Sequence, residues 1–302
     1  MAEPGLRTIS SEMSAPLVFD RPLIRRRLAR AIGQGYADFL LGRAVEDLED
    51  RLGAVLRTFG SALDLGTPRP AAAEALRRSG QVTAVTRLSP LPERGAIAGD
   101  EERLPFAGET FDLVVSLLAL QAVNDLPGTL IQVRRALKQD GLFLAALLGG
   151  TTLTELRQSF AQAEAELEGG ISPRVAPFVD VRDLGGLLQR AGFALPVTDT
   201  DLVRVRYASP FDLMRDLRGM GLTNALSDRR RIPLRRRTLL RAAAIYAERF
   251  GDPDGRVPAT FEILWLSGWA PHESQQKPLQ PGSARMRLAD ALGVPENPRS
   301  DP

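Results

Sequence analysis

The stretch ALDLGTPRPAAAEAL, residues 62–76, decides the fold. An apolar run closes on Asp64-Leu65-Gly66, a turn follows, and an alanine-rich helix begins. Nucleotide-type cofactors are held at such strand–turn–helix units, because glycine lets the backbone approach the ligand closely. Two positions at which these loops use glycine are here Pro68 and Pro70. Proline fixes φ at about −65°, carries no N–H and restricts the residue before it. Pro70 suits the first turn of the following helix; Pro68 has no such role.

Outward from this unit the apolar period belongs to a parallel sheet covered on both faces. SALDLG, QVTAVTRL, AIAGD, FDLVVSLLAL and GLFLAALLGG are short apolar runs separated by helices or turns. LVRVRYAS and ATFEILWLSGWAP alternate as two further strands. The class is α/β, a doubly wound, seven-stranded, mostly parallel sheet with N-terminal helices and an inserted helical cap. Residues 1–20 read as a flexible tail and 21–57 as two packing helices. Residues 58–150 hold the cofactor-type subdomain, 151–270 the cap and remaining strands, and 271–302 a proline- and glycine-rich tail. The cap comprises 151–178 and 209–258, above the carboxyl edge of the sheet. NDLPGTLIQVRRALKQDG is a crossover helix with Pro127 in its first turn and Gly141 as its stop. TTLTELRQSFAQAEAELEGG is a helix of about five turns, capped by threonines and ended by a glycine pair. DVRDLGGLLQRAGF is a shorter one.

Composition narrows the chemistry. Cysteine is absent, which excludes disulfides, zinc–thiolate sites and a thiol nucleophile. With His272 the only histidine, no two-histidine iron site and no histidine-rich zinc site can be built within the chain, and no metal is expected. No run of about eighteen apolar residues is present, so no transmembrane segment is expected, and the N-terminus lacks the apolar core of a signal peptide. The net charge is +2, yet arginine clusters in RRRLAR (25–30) and RRRIPLRRR (229–237). Arg229, Arg230, Arg231, Arg235, Arg236 and Arg237 could meet an acidic surface or lie on a solvated helix face. Without interleaved aromatic residues, nucleic acid is not the expected partner.

The segments LPF (104–106), TFDLVVS (110–116), VNDLP (123–127), LGGTTLTELR (148–157), DLGGLLQRAGF (183–193), LMRDLRGMG (213–221), DGRVPATFEI (254–263) and GWAPHESQQKP (268–278) run through nearly the whole chain. In that order they resemble the methyltransferase-like assembly factors of respiratory complex I, found in mitochondria and in bacterial relatives, within the class I S-adenosylmethionine-dependent methyltransferases. A more distant likeness, confined to the cofactor domain, is to the carrier-protein methyltransferases of the biotin pathway. The first resemblance implies S-adenosylmethionine as cofactor, a complex I peripheral-arm subunit or assembly intermediate as partner, and, in the mitochondrial member, arginine hydroxylation. It also implies a bacterial cytoplasmic location, peripheral to the inner membrane through the partner. By the family pattern Asp64, Gly66, Asp100 and Glu101 bind cofactor, with Asp100 towards the adenine amino group.

The chain departs from that pattern in one neighbourhood. The family loop reads Asp-Leu-Gly-x-Gly-x-Gly, and Gly66 alone of its glycines remains. The second strand should end in a carboxylate that accepts from both ribose hydroxyls, and Thr86 or Arg87 stands there instead. RLSPLPERG leaves no room for a crossover helix. At the substrate edge Gln121 and Ala122 replace an aromatic and a histidine, whereas Asn124 and Asp125 match; the last two either line a pocket or cap the next helix. Gln121, Asn124 and Asp125 are therefore the substrate-edge residues, and Asp125, His272 and Glu273 the remaining acid–base candidates, with no diagnostic pairing among them. Three readings follow. One is an assembly factor with weak or lost cofactor use. Another is an active methyltransferase acting on a protein or small-molecule acceptor such as a carboxyl group. The third is a binding module acting through its arginines.

Overall fold

The computed structural model describes residues 17–275. The expected N-terminal tail lies outside the described residues up to 16, and most of the C-terminal tail lies outside them from 276 onward. Two units are distinguished, Met1–Pro271 and His272–Pro302. The first begins with helices α1 (Arg21–Gly33) and α2 (Phe39–Gly53) and then alternates: β1 (Phe59–Leu65), α3 (Ala71–Arg78), β2 (Val82–Ser89), β3 (Ile97–Ala98), β4 (Phe111–Leu117), α4 (Leu126–Ala136), β5 (Leu137–Leu148). It continues with α5 (Thr154–Glu168), α6 (Val181–Arg190), β6 (Ala194–Tyr207), α7 (Pro210–Gly219), α8 (Arg236–Phe250) and β7 (Val257–Trp269). The seven strands form one sheet in the order β3-β2-β1-β4-β5-β7-β6, with β7 antiparallel to both neighbours.

Alternation along each central strand explains why the runs are mostly apolar. On β5, Leu142, Leu144, Ala146 and Leu148 face one core with α2, α5, α7 and α8, while Phe143, Ala145 and Leu147 face the other with α4 and α6. β1, β4 and β7 divide in the same way, Trp265 on the first side and Leu264 on the second. Such two-sided burial favours apolar residues, and the buried exceptions are paired, Asp64 with Arg87 and Ser116 through its hydroxyl with the Leu65 carbonyl. β6, at the edge, alternates between half-buried and exposed instead.

β6 and β7 run on past the carboxyl end of β5, whose last pair is Leu148 with Ile263. This overhang carries the cap helices. Glu155 of α5 accepts from the Thr260 hydroxyl at 2.5 Å, and the Tyr246 hydroxyl of α8 donates to the Pro258 carbonyl at 2.7 Å. The topological reversal lies between β1 and β4, the place where open α/β sheets leave a crevice for ligands.

Three local expectations are corrected and one strand proves short. Gly141 does not end a helix: α4 stops at Ala136, and Gly141 lies inside β5, after Asp140 at φ 59°. The glycine is needed there because a Cβ would meet the Lys138 carbonyl at 2.9 Å and the Asp112 carbonyl at 3.2 Å. The threonines before α5 do not cap it; Leu153, at φ 56°, precedes the helix with no side-chain cap, and the helix is 15 residues long, ending at Gly169 with φ 70°. AIAGD does supply a strand, the two-residue β3 at the sheet edge. Residues 17–20 are tied down rather than flexible: Phe19 bridges Leu226, and the Asp20 N–H donates to the Ala225 carbonyl at 2.8 Å.

Gly141→Ala should lower stability by about 1–3 kcal/mol through overpacking against two backbone carbonyls. Urea unfolding of the variant should show a lower midpoint at an unchanged slope.

Candidate functional site

The crevice at the carboxyl ends of β1, β2 and β4 is built from the 62–76 unit. Gly66 turns the chain at φ 71°, and its N–H donates to the Leu88 carbonyl at 2.9 Å. Thr67 is fully buried; its hydroxyl accepts from the Leu117 N–H at 3.2 Å. Pro70 immediately precedes α3, its carbonyl accepting from the Glu74 N–H, whereas Pro68 lines the crevice wall.

Asp64 and Arg87 are register partners on the parallel strands β1 and β2. Partners in parallel strands present their side chains to the same face, one strand spacing of about 4.8 Å apart. Hence Arg87, and not Thr86, stands where the second-strand carboxylate was sought. Its Nη1 donates to Asp64 Oδ2 at 2.6 Å and its Nη2 to the Thr67 carbonyl at 2.7 Å, with Glu93 at 3.2 Å from the outer side. Arg87 is 4% exposed and Asp64 fully buried. Burial pushes the Asp64 carboxyl above the ordinary aspartate value, and the Arg87 guanidinium pulls against that rise.

Residues 100–102 close the opposite wall, and each acid there has an internal partner. Glu101 is 3% exposed and packs against Gly66 so closely that a Cβ on the glycine would lie 2.6 Å from its carboxylate. It pairs with Arg21 of α1, which also reaches Asp100 at 2.8 Å and the Ala122 carbonyl at 3.2 Å. Arg25 pairs with Asp100 from the next turn. Glu102 accepts from the Asn124 and Asp125 N–H groups. Burial alone would raise the Asp100 carboxyl; the Glu102 N–H and the Arg21 and Arg25 guanidinia outweigh it and hold the group below the usual aspartate value.

The N-terminal segment is thereby stitched across the mouth. Asn124 exchanges both amide hydrogen bonds with the Phe19 backbone, at 2.8 and 3.2 Å. Asp20 caps α1 through the Leu23 N–H and pairs with Arg229 at 3.0 Å. The space left among Arg21, Gly66, Pro68, Glu101 and Gln121 is a cavity of about 70 Å³. A buried water needs about 10–15 Å³ on this measure, so the cleft holds only a few.

Asp64, Gly66, Asp100, Glu101 and Gln121 thus come together around one crevice, and Asn124 borders it through its clamp on Phe19. Asp125 caps α4, accepting from the Gly128 N–H at 2.8 Å. His272 is exposed, its Nδ1 2.7 Å from the Ser274 hydroxyl, and Glu273 is exposed in the same turn. Both belong to the second unit. No group of three or more potential metal ligands occurs among the described residues. Arg21 and Glu102 escaped the sequence reading, and Arg25 figures in it only as part of the RRRLAR cluster. The Asp20-Arg21-Pro22 helix start announces α1, but nothing in it announces a partner some 80 residues away.

The arginine cluster is largely spent inside the molecule. Arg230 and Arg235 both lie 3.2 Å from Glu168, Arg229 holds Asp20, and Arg237 donates to the Leu167 carbonyl. Arg231 and Arg236 are exposed with no such partner among the described residues.

With this geometry in place, comparison settles the family. A methyltransferase-domain family model matches residues 36–196. The arginine-hydroxylase NDUFAF5 of Danio rerio is 43% identical over 287 residues, covering 90% of this chain and 89% of that protein. Its Homo sapiens counterpart is 42% identical over 287 residues, covering 90% and 83%. The chain belongs to this family of methyltransferase-like complex I assembly factors. The malonyl-[acyl-carrier protein] O-methyltransferase of Xylella fastidiosa is 33% identical over 276 residues, covering 84% of this chain and 89% of that one. Among solved structures, the YcgJ protein of a Bacillus species superposes with a TM-score of 0.51 at 15% identity, covering 76% of this chain and 99% of that one, a likeness of fold. The class I methyltransferase fold is therefore established, in a superfamily that binds S-adenosylmethionine.

Arg87→Met leaves Asp64 buried without its cation and should cost about 3–5 kcal/mol, while adding Asp64→Leu should recover most of the loss. Chemical unfolding of the two variants checks this. Because the folded Asp100 value is depressed, its contribution is complete above the unfolded aspartate value and is lost as pH falls through the folded one. Thermal melts below pH 4 should therefore show a steep acid limb that Arg21→Met with Arg25→Met flattens.

Proposed function

We propose that this chain is a complex I assembly factor that works by binding a peripheral-arm subunit or assembly intermediate, with its S-adenosylmethionine site closed by its own side chains. What carries the reading is the Asp64–Arg87 pair: a cation stands where the cofactor's ribose would need an acceptor, and it already holds both Asp64 and the loop carbonyl of Thr67. The Arg21–Glu101 pair and Pro68 support it by taking up the remaining space. A free cofactor would have to displace a desolvated ion pair, and isolating either partner is costly. Methyl transfer depends on a bound, aligned donor, so closing the site removes the reaction.

Partner binding does not need that cleft. Arg231 and Arg236, unpaired on the loop before α8 and in its first turn, offer positive charge for an acidic subunit surface, and charge complementarity of this kind acts chiefly on the association rate. The relatives are arginine-hydroxylases by name, and family membership brings an arginine of the subunit as the group presented to this protein. No described helix is long and apolar enough to cross a membrane, so contact with the membrane-bound complex would run through that partner on its cytoplasmic side.

Affinity purification of the tagged full-length chain from its native cells should recover peripheral-arm subunits. Arg231→Glu with Arg236→Glu should slow capture and abolish its salt dependence without lowering the melting temperature. Recovery of no complex I subunit would sink the proposal.

A further inference from the structure

A second cavity, of about 310 Å³, lies under the cap and shares Ile24, Gln121, Ala122 and Leu148 with the wall of the cofactor cleft. Leu156 and Phe160 of α5, Met214 and Leu217 of α7, and Phe261 of β7 make it apolar. The volume is twice the ~150 Å³ of an engineered apolar cavity that stays dry and admits benzene, which corresponds to about a dozen carbon atoms.

The polar groups at this cavity bear on the kind of head group it would accept. No carboxylate lines it, and both charged residues that do are arginines. Arg174 is neutralised by Glu164, which also accepts from Ser172. Arg218, in the last turn of α7, is exposed while lining the cavity, so it stands at the rim. Its guanidinium has no hydrogen-bond or ion-pair partner among the described residues. Deeper in, Gln121 donates its amide N–H to the Leu118 carbonyl at 2.7 Å, but its Oε1 is buried without a partner. Gln121 Oε1 is an acceptor and calls for a water or another donor, whereas the unpaired Arg218 guanidinium at the rim favours an anion, so the cavity suits an apolar tail with an anionic head held at the rim.

We propose that this cavity binds a free alkyl carboxylate of about eight to twelve carbons, the tail among the walls of α5, α7 and β7 and the carboxylate on the Arg218 guanidinium. Guanidinium–carboxylate pairing is charge-assisted and can be bidentate, which a rim arginine permits. The site stands independently of the assembly reading, since it uses neither the Asp64–Arg87 pair nor the arginines at 231 and 236.

The test is calorimetric titration of the purified full-length protein with decanoate, methyl decanoate and decylamine below their aggregation limits. Decanoate should bind at one site, at least tenfold tighter than decylamine, with the uncharged ester between them. Arg218→Glu should invert that order, and Met214→Trp, which fills the cavity, should remove binding of all three. Should the tryptophan variant fail to fold, the exposed Arg218→Glu carries the test alone. Absence of decanoate binding, equal affinity for the three probes, or an order unchanged in Arg218→Glu would overturn the proposal.

Discussion

The buried pair between Asp64 and Arg87 is the constraint to which the rest of the crevice is fitted. Two fully desolvated charges persist only where geometry and extra hydrogen bonds offset the loss of water. Here parallel register supplies the geometry, the Thr67 carbonyl takes a second guanidinium N–H, and Glu93 balances the outer face. The loop is then held on three sides: Gly66 on Leu88, Thr67 on Leu117 and Arg87, and Glu101 packed against the face of Gly66 from which Cβ is missing. Prolines at 68 and 70 further restrict the backbone of this loop.

Closure is completed from outside the sheet. α1 brings Arg21 and Arg25 to the acidic wall, and the preceding residues are gripped on one side by Asn124 and on the other by Ala225 and Arg229. The N-terminal helix, the 223–229 loop and the carboxyl edge of the sheet thus share one set of polar contacts, with Arg27 adding bonds to the Thr223 and Asn224 carbonyls. An arginine cluster that looks in sequence like a docking face is mainly the mortar between α1, α5 and α8. Arg231 and Arg236 are its outward remainder.

The sheet was legible because burial on both faces writes itself as unbroken apolar runs, and the two N-terminal helices because their spacing is helical. Gly141 misled because a glycine after a helix usually ends it, whereas here its role is to let β5 pass close to the Lys138 and Asp112 carbonyls. The ambiguity between Thr86 and Arg87 could not be resolved from sequence: it is a matter of register between strands joined through α3, and a shift of one residue reverses the face. Arg21 and Glu102 were invisible for a related reason, their partners being distant in the chain. The loss of glycines from the loop was plain in the sequence, but not the ion pairs that Arg87 and Arg21 make beside it.

Calorimetric titration of the native protein with S-adenosylmethionine, and with S-adenosylhomocysteine, tests the central claim most directly. A sealed crevice predicts no binding heat for either up to millimolar concentration. One-to-one binding in the micromolar range would contradict it, since it would require Arg87 and Arg21 to release the carboxylates they hold.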